Sequence, residues 1–390
     1  MTRCTFAHVD LEALRANFHA ITLLLHEDHA ASLPSGSTAR SDTPPAAASP
    51  GVIAVVKANA YGHGAAPVGL ALERAGATML ASADIEEAIA LRTAGVRSAI
   101  LVFGALSVSD LAGVFAYDLT PTISTPSAAR ALQAAAAARD VRLRYHLKID
   151  TGMNRLGFRH DNLERTMPEL LAMANLELDA VYTHFATADD PGSPLFGVQQ
   201  ARFSAARATL AALGAPPCRC HAANSAALCR DSRVWFDLVR PGILLYGVVP
   251  PPLSSTLDLR PVMSLRSRVV AVKGVRPGES VGYGARCTAE RPMRMAVVPA
   301  GYADGLDARL AGRGHVLVRG RRAPIIGSVC MDMIMLDVTD IPADTGDEVL
   351  IIGSQGGERI DVREMAAAIG TTPYEILCRI GTRIERVYNQ

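Results

Sequence analysis

The chain has 390 residues, of which 49% are hydrophobic and 20% charged, a composition typical of a soluble globular protein long enough for two domains. Its 39 basic and 38 acidic residues give a net charge of +1, so no overall field favours nucleic acid or an anionic membrane as a partner. The first residues lack the apolar core of a signal peptide, no apolar run is long enough to span a bilayer, and seven cysteines are more typical of reduced thiols than of a disulfide framework. We therefore expect a cytoplasmic protein.

The first predicted element is a helix, because apolar residues recur at helical spacing in LEALRANFHAITLLL, residues 11–25. The next stretch, from about Ala30 to Gly51, is rich in Ala, Ser and Pro and has no periodicity. Such a composition supplies no apolar face to bury, so we interpret residues 30–51 as a disordered insertion.

Eight short apolar runs follow, and each is typical of a β-strand. They are residues 52–56, 78–82, 99–103, 119–123, 142–149, 176–185, 218–222 and 236–240. Helical segments such as ADIEEAIALRTAG lie between most of them. This alternation predicts an α/β fold, a (β/α)8 barrel, with a doubly wound open sheet as the alternative.

The pattern changes after the three consecutive prolines at 250–252. From Val262 onward, the strand-like runs are joined by Gly- and Pro-rich turns, and few helical segments occur before REMAAAIG. The sequence therefore predicts a barrel domain over residues 1–252 and a mostly β C-terminal domain over residues 253–390.

Lys57 follows the first barrel strand, in the stretch VIAVVKANAYGHGA. A lysine at the end of a buried strand loses hydration of its ammonium group, so the fold must let it reach solvent, pair it or lower its pKa. For an arbitrary lysine the first of these is the usual outcome. The alternative is an amine that forms a Schiff base.

Polar side chains mark other strand ends as well. They are Lys148, Asp150 and Arg155 at the fifth strand, His184 at the sixth, Asn224 and Ser225 at the seventh, and Arg240 and Gly242 at the eighth. Taken singly, these residues are explained as a helix cap, a turn or a core histidine. Because the C-terminal ends of barrel strands carry the active site, together they predict one polar pocket, with a phosphate-binding helix start in HAANSA.

Several motifs occur in a fixed order along nearly the whole chain: VVKANAYGHG, LKIDTGMNRLG, YTHFATAD, NSAA, VRPGILLYG, VGYGA, AGYADG, CMD and PYEIL. Together they resemble the pyridoxal-phosphate-dependent alanine racemases of fold type III. The resemblance implies a barrel with a C-terminal β domain and a homodimer with shared active sites. It also implies interconversion of L- and D-alanine, which supplies D-alanine for peptidoglycan.

The resemblance further implies roles for individual residues. Lys57 would carry the pyridoxal 5'-phosphate and act as one base, and Tyr283 would act as the second base. The cofactor-binding positions correspond to Lys57, Tyr61, His184, Asn224, Ser225, Arg240, Gly242 and Tyr374, the substrate-binding positions to Arg155 and Met331, and an often carbamylated position to Lys148. No metal is implied, and CRCH at 218–221, which lacks a second pair of ligands, is interpreted as strand packing.

The chemistry explains why these residue types are needed. Racemisation by two bases requires a proton acceptor on each face of the substrate, here Lys57 for D-alanine and Tyr283 for L-alanine. A phenol is a poor base at neutral pH, so nearby positive charge, for which Arg155 is a candidate, should favour the phenolate. Arg240 at the ring nitrogen keeps its own proton, which weakens the electron sink and favours reprotonation over transamination.

The sequence departs from the usual motifs at Arg286, Cys287 and Leu306, where we expect an influence on substrate access rather than on the reaction. Two alternatives stay open. One is a serine or broad-specificity racemase of the same fold, although Tyr374, expected near the substrate methyl group, favours alanine. The other is a non-catalytic protein that binds pyridoxal phosphate, against which the second domain and Tyr283 count.

Overall fold

The computed structural model describes residues 4–32, 49–104 and 111–389. The chain begins with strand β1 (Phe6–Val9) and helix α1 (Leu11–Ser32). This helix confirms the first predicted element but runs further, so residues 30–32 are helical rather than part of an insertion, and Gly51 already belongs to a strand. The rest of the predicted insertion, residues 33–48, lies outside the described residues.

Within the described residues, eight parallel strands close a barrel in which β10 pairs with β2 and β5 pairs with β6. The barrel strands are β2 (Gly51–Val55), β3 (Met79–Ser82), β4 (Ala99–Val102), β5 (Thr120–Ile123), β6 (Leu143–Asp150), β8 (Leu176–Tyr182), β9 (Arg219–Asn224) and β10 (Leu238–Arg240), and the two-residue strand β7 (Phe158–Arg159) pairs with β6. Each predicted barrel strand is confirmed, with shifts of a few residues at its ends. Closure of the sheet rejects the doubly wound alternative.

Helices cover the outside of the barrel and connect its strands. Directly after β2, the segment α2 (Lys57–Tyr61) is a left-handed turn rather than a regular α-helix. The covering helices are α3 (Ala65–Arg74), α4 (Ile85–Thr93), α5 (Ala112–Ala116), α6 (Pro126–Ala137), α7 (Leu163–Leu171), α8 (Leu195–Ala212) and α9 (Ser225–Arg230). The strands are nearly continuous apolar runs because both of their faces are buried, one by these helices and one inside the barrel. The barrel interior also encloses the polar side chains of His146, Lys148 and His221, which points to a function for its centre.

The second domain is mostly β, as predicted. It contains β11 (Met263–Arg268), β12 (Ala271–Val275), β13 (Ser280–Val281), β14 (Cys287–Thr288), β15 (Met293–Val298), β16 (His315–Val318), β17 (Arg321–Ile326), β18 (Ile334–Asp337), β19 (Glu348–Gln355), β20 (Glu358–Ile360) and β21 (Glu385–Tyr388), with helices α10 (Val362–Ile369) and α11 (Pro373–Cys378). In the described part of the chain, none of the helices is long and apolar enough to cross a membrane.

Strand β1 corrects the predicted domain boundary, which assigns residues 1–252 to the barrel. It lies in the sheet of the second domain, antiparallel to β11 and parallel to β21. Helix α1 then returns to the barrel, and the buried Asn17 side chain hydrogen-bonds the backbone of Leu245 and of Arg260. The chain therefore enters the second domain at its start, and both ends of the sequence contribute to the junction between the domains.

Candidate active site

A cavity of about 400 Å³ lies at the C-terminal ends of the barrel strands, as the strand-end residues predict. The predicted site residues that line it are Lys57, Tyr61, Lys148, Arg155, His184, Asn224, Ser225, Arg240, Gly242 and Tyr374. Asp150, by contrast, turns into the following loop, where its carboxylate accepts hydrogen bonds from the backbone N–H groups of Gly152 and Asn154. Tyr283 and Met331 lie elsewhere, as described below.

The backbone after Lys57 forms a left-handed turn. Ala58, Asn59, Ala60 and Tyr61 have φ values between 52° and 54°, a conformation that costs roughly 1–2 kcal/mol for each L-residue. Surrounding groups hold the turn, and Glu87 accepts a hydrogen bond of 2.6 Å from the backbone N–H of Ala58. The strained turn lowers the stability of the fold but fixes the orientation of the segment that begins at Lys57, and such strain is typical of a functional site.

The turn is also held from inside by His63 and from the second domain. The Nδ1–H group of the buried His63 ring is shared between the carbonyl oxygens of Ala60 (3.1 Å) and Tyr61 (2.9 Å). Arg386 and Tyr388, in β21, donate hydrogen bonds to the carbonyl oxygens of Gly62 and His63. The second domain therefore supports the lysine segment directly.

Positive charge is concentrated in the cavity. Burial lowers the pKa of Lys57, and the nearby Arg155 lowers it further. Burial lowers the pKa of Lys148 to about 8, and Arg240 and Arg155 add to this shift. In the part of the chain that the structure describes, no Asp or Glu side chain lines the cavity, so the site favours anionic ligands such as a phosphate or a carboxylate.

Arg240, the last residue of β10, is buried with 3% of its surface exposed. Its Nη2 donates to the carbonyl oxygens of Thr183 (2.8 Å) and Ala222 (2.9 Å) and lies 3.3 Å from Nδ1 of His184, and its Nη1 donates to His221. Burial lowers the pKa of the guanidinium to about 10, which leaves it charged at neutral pH. Burial and the same guanidinium lower the pKa of His184, which is therefore neutral.

Two family profiles cover most of the chain. The profile of the alanine racemase N-terminal domain matches residues 44–250, and that of the alanine racemase C-terminal domain matches residues 262–388. The chain belongs to the alanine racemase family. The alanine racemase of Symbiobacterium thermophilum is 39% identical over 388 residues, which cover 99% of this chain and 97% of the relative.

Solved structures of alanine racemases have the same fold. The enzyme from the D-cycloserine producer Streptomyces lavendulae superposes with a TM-score of 0.91 at 34% identity, covering 100% of this chain and 98% of that one. The enzyme from Bartonella henselae, solved with covalently bound pyridoxal phosphate, superposes with a TM-score of 0.85 at 28% identity over 99% of both chains. Alanine racemases depend on pyridoxal phosphate.

The donors at one end of the cavity fit the phosphate of this cofactor. Ser225 Oγ accepts a hydrogen bond of 2.8 Å from the Gly242 backbone N–H, so the Ser225 hydroxyl hydrogen is available to an anion. Burial raises the pKa values of Tyr61 and Tyr374, which keeps both phenols protonated as donors. A Cβ at residue 242 would overlap the Tyr61 hydroxyl, so the close packing of this corner requires glycine.

Asn224 caps a helix, which is the structural role that the sequence analysis gave as an alternative to ligand binding. Its Oδ1 accepts a hydrogen bond of 2.9 Å from the backbone N–H of Ala227 and caps helix α9. The cap fixes the start of the helix where Ser225 stands. Asn224 therefore positions the hydroxyl of its neighbour, whichever further contact it makes with a ligand.

Tyr182 is a lining residue that the sequence analysis missed. Its ring stacks on His221 with centroids 4.6 Å apart, and Lys148 Nζ lies 5.5 Å and Arg240 Cζ 5.3 Å from its centroid. It ends β8 two residues before His184, and this strand spacing of two is the signal that would have placed both side chains on one side of the sheet.

Tyr283 and Met331 line a separate concave surface of about 1440 Å³ on the second domain. Their exposed fractions are 79% and 52%, which are high for large apolar side chains. A single chain therefore does not bring them into the Lys57 cavity. Of the three departures from the usual motifs, Arg286 is exposed, Cys287 is half-buried and Leu306 is buried.

The CRCH segment is part of the barrel wall, as interpreted from the sequence. Cys220 and His221 lie in β9, and burial raises the pKa of the Cys218 thiol to about 11. His221 hydrogen-bonds Arg240 and His146. Among the described residues, no group of three or more His, Cys, Asp and Glu side chains is arranged to hold a metal ion.

Proposed function

We propose that this protein interconverts L-alanine and D-alanine with pyridoxal phosphate, by proton transfer to and from two bases, Lys57 and Tyr283. The observation that carries the proposal is the buried Lys57 at the start of a strained turn, in a cavity lined by cations and phenols. Membership of the alanine racemase family along both domains supports it.

Different residues of the cavity would bind different parts of the cofactor. Tyr61, Ser225 and Gly242 form the corner suited to the phosphate, whereas Arg240 and His184 are suited to the pyridine ring. Lys57 supplies the amine that attaches it. When bound, the cofactor withdraws electrons from the Cα of the amino acid joined to it and so acidifies the Cα–H bond.

Lys57 would serve as the base on one face of the substrate. Its Nζ takes or returns the Cα proton of D-alanine, and its lowered pKa increases the fraction of neutral amine that can accept a proton. Arg155 lines the same cavity and would bind the substrate carboxylate. Lys148, with a pKa of about 8, has enough neutral amine near pH 7 to react with carbon dioxide, and the resulting carbamate would pair with the neighbouring guanidinium groups.

Tyr283 would serve the opposite face from a second subunit. Its 79% exposure and its place on a surface separate from the Lys57 cavity support a homodimer in which each subunit completes the site of the other. Met331, on the same surface, would reach the substrate in the same way. In that arrangement Arg155 of one chain can stabilise the phenolate of Tyr283 from the other.

The proposal also includes the use of the product and the cellular location of the enzyme. D-alanine made by the enzyme would enter peptidoglycan, and the nearly balanced charge and the reduced cysteines support a cytoplasmic location. A non-catalytic barrel that only binds the cofactor is disfavoured, because residues 262–388 match the C-terminal domain of the racemases.

The remaining alternative is a racemase that prefers serine or accepts several amino acids. Tyr374, which lines the cavity beside Tyr61 with ring centroids 6.0 Å apart, narrows it and supports alanine. Initial rates with both enantiomers of alanine, serine and lysine would decide. We expect kcat/KM for alanine to exceed that for serine by about tenfold or more, and a larger value for serine or lysine would reject the preference for alanine.

A further inference from the structure

A continuous line of buried polar side chains leads away from the active site through the centre of the barrel. Arg240 Nη1 lies 2.7 Å from His221 Nδ1, His221 Nε2 lies 2.9 Å from His146 Nδ1, and His146 Nε2 lies 3.1 Å from Asp179 Oδ2. His221 and His146 are fully buried, whereas the Asp179 side chain is 23% exposed and also pairs with Arg219. The line thus connects the Arg240 guanidinium with a carboxylate outside the cavity.

The chemistry of the groups determines the direction of every hydrogen bond in this line. A guanidinium can only donate, so His221 Nδ1 must accept and the proton of this ring must be on Nε2. His221 Nε2–H then donates to His146 Nδ1, which leaves the His146 proton on Nε2, facing the carboxylate. Both rings are neutral, since burial lowers their pKa values, and the bond from His146 helps to hold the pKa of Asp179 at about 2.

We propose that Asp179 is a positioning residue that acts on Arg240 through His146 and His221. The carboxylate can only accept a hydrogen bond, so it favours the Nε2–H forms of His146 and His221 from one end of the line, as Arg240 favours them from the other. With the opposite form, a ring N–H would face the guanidinium N–H, and Arg240 would lose its 2.7 Å bond and shift.

The catalytic part of this inference rests on the proposed function, in which Arg240 contacts the cofactor ring. If the Arg240 guanidinium shifted or lost its hydrogen bond to His221, its contact with the pyridine ring of the cofactor would change. We therefore expect the loss of the Asp179 carboxylate, which accepts the hydrogen bond from His146, to affect the cofactor and the reaction, although Asp179 lies outside the cavity. The arrangement of protons, by contrast, is a property of the chain alone and can be measured without the reaction.

Histidine ¹⁵N NMR of the protein freed of cofactor tests the proton arrangement directly. The wild-type protein should show His146 and His221, assigned by single substitutions, each as one neutral form with the proton on Nε2. In Asp179→Asn the Arg240 guanidinium still favours the Nε2–H forms, but the amide can donate as well as accept, so each ring should gain a measurable fraction of the Nδ1–H form. An Nδ1–H form of either ring in the wild type, or unchanged spectra in Asp179→Asn, would overturn the proposal.

Kinetics of the loaded enzyme test whether the effect passes through Arg240. We expect Asp179→Asn to lower kcat/KM about tenfold, by analogy with the loss that follows removal of the carboxylate partner of a metal-bound histidine, and Asp179→Glu to restore part of the loss. In an Arg240→Lys background the same substitution should have little further effect, because the shared path is already broken. Full additivity of the two substitutions would contradict the proposal.

A matched control is Asp237→Asn. Asp237 Oδ2 accepts a hydrogen bond of 2.7 Å from the backbone N–H of Cys220 in the same strand as His221 but makes no contact with the line. It should leave the histidine spectra and kcat/KM unchanged.

If wild-type protein shows the predicted histidine forms but no racemase activity, the proposed function fails while the proton arrangement stands. If Asp179→Asn does not fold, the wild-type spectrum and the Asp179→Glu variant still decide.

Discussion

Gly242 and Tyr61 are packed so closely that a Cβ at residue 242 would overlap the hydroxyl oxygen of the tyrosine. The two residues come from opposite ends of the barrel sequence, Tyr61 after β2 and Gly242 after β10, and these strands pair where the barrel closes. Closure of the sheet therefore creates the corner that we assign to the cofactor phosphate.

Gly242→Ala should weaken binding of pyridoxal phosphate by about tenfold or more, which corresponds to about 1.4 kcal/mol, because the added methyl group displaces the Tyr61 hydroxyl. Titration of the protein freed of cofactor, followed by the visible absorption of the bound cofactor, measures the dissociation constant. Gly197→Ala in helix α8, where a Cβ meets no atom within 4 Å apart from the backbone of its own helix, is the matched control and should bind normally. Unchanged affinity in Gly242→Ala would remove this corner from the phosphate site.

Lys57 should be the point of attachment of the cofactor. The sequence contains only three lysines, at positions 57, 148 and 273, and Lys148 is the serious competitor because its pKa is also low. Borohydride reduction followed by peptide mass mapping should place the label on Lys57. Lys57→Ala should lower the rate in both directions by at least about a thousandfold while the fold stays intact. A label on Lys148 or Lys273 would refute the assignment.

Lys148 should make the stability of the cofactor-free protein depend on pH above neutrality. Its pKa falls from the ordinary 10.5 to about 8 on folding, so between these pH values the unfolded chain retains a proton that the folded chain has lost. Stability due to this group therefore rises with pH across that window, by roughly 3 kcal/mol in total. Urea unfolding in buffers free of carbon dioxide should show a larger rise in wild type than in Lys148→Met, in which only Lys57, whose pKa is also lowered by burial, still contributes.

Lys273→Met is the control for that experiment, because Lys273 is exposed on β12. Its stability should follow the wild-type pH dependence. Parallel curves for wild type and Lys148→Met would show that the Lys148 ammonium is not disfavoured by folding.

Mixed dimers should reveal whether the active site is shared. Lys57→Ala and Tyr283→Ala subunits, each inactive, are unfolded and refolded together. About half of the dimers are then hybrids in which one site carries both lesions and the other carries neither, so activity should recover to about a quarter of wild type. If the two residues act within one chain, no recovery should occur even though mass spectrometry detects the hybrids.

Much of the barrel and its site was predictable from local patterns. The eight apolar runs between residues 52 and 240 are all strands of the barrel, because burial on both faces leaves a continuous apolar signature in each one. Lys57, His184 and Arg240 were predicted to share a pocket because they follow strands whose ends meet on one face, and they do.

Other features depend on partners far away in the sequence. Nothing in FAHV at residues 6–9 indicates that β1 pairs with β11 and β21 of the second domain rather than with the barrel. The extension of α1 to Ser32 was missed because the Ala- and Ser-containing end of the helix lacks the apolar spacing on which the prediction depended.

The sequence by itself determined the barrel, the β character of the second domain and the strand-end residues of the Lys57 cavity, because each depends on local periodicity or on position at a strand end. Tyr61 and Tyr374 were assigned to the site only through the family resemblance. Only the tertiary structure decided that Tyr182 lines that cavity and that Asp179 reaches Arg240 through two histidines. It also placed Tyr283 on a different surface from Lys57 within one chain. The physical reason is that hydrogen bonds and ring contacts between strands depend on register and curvature of the closed sheet, which no single segment specifies.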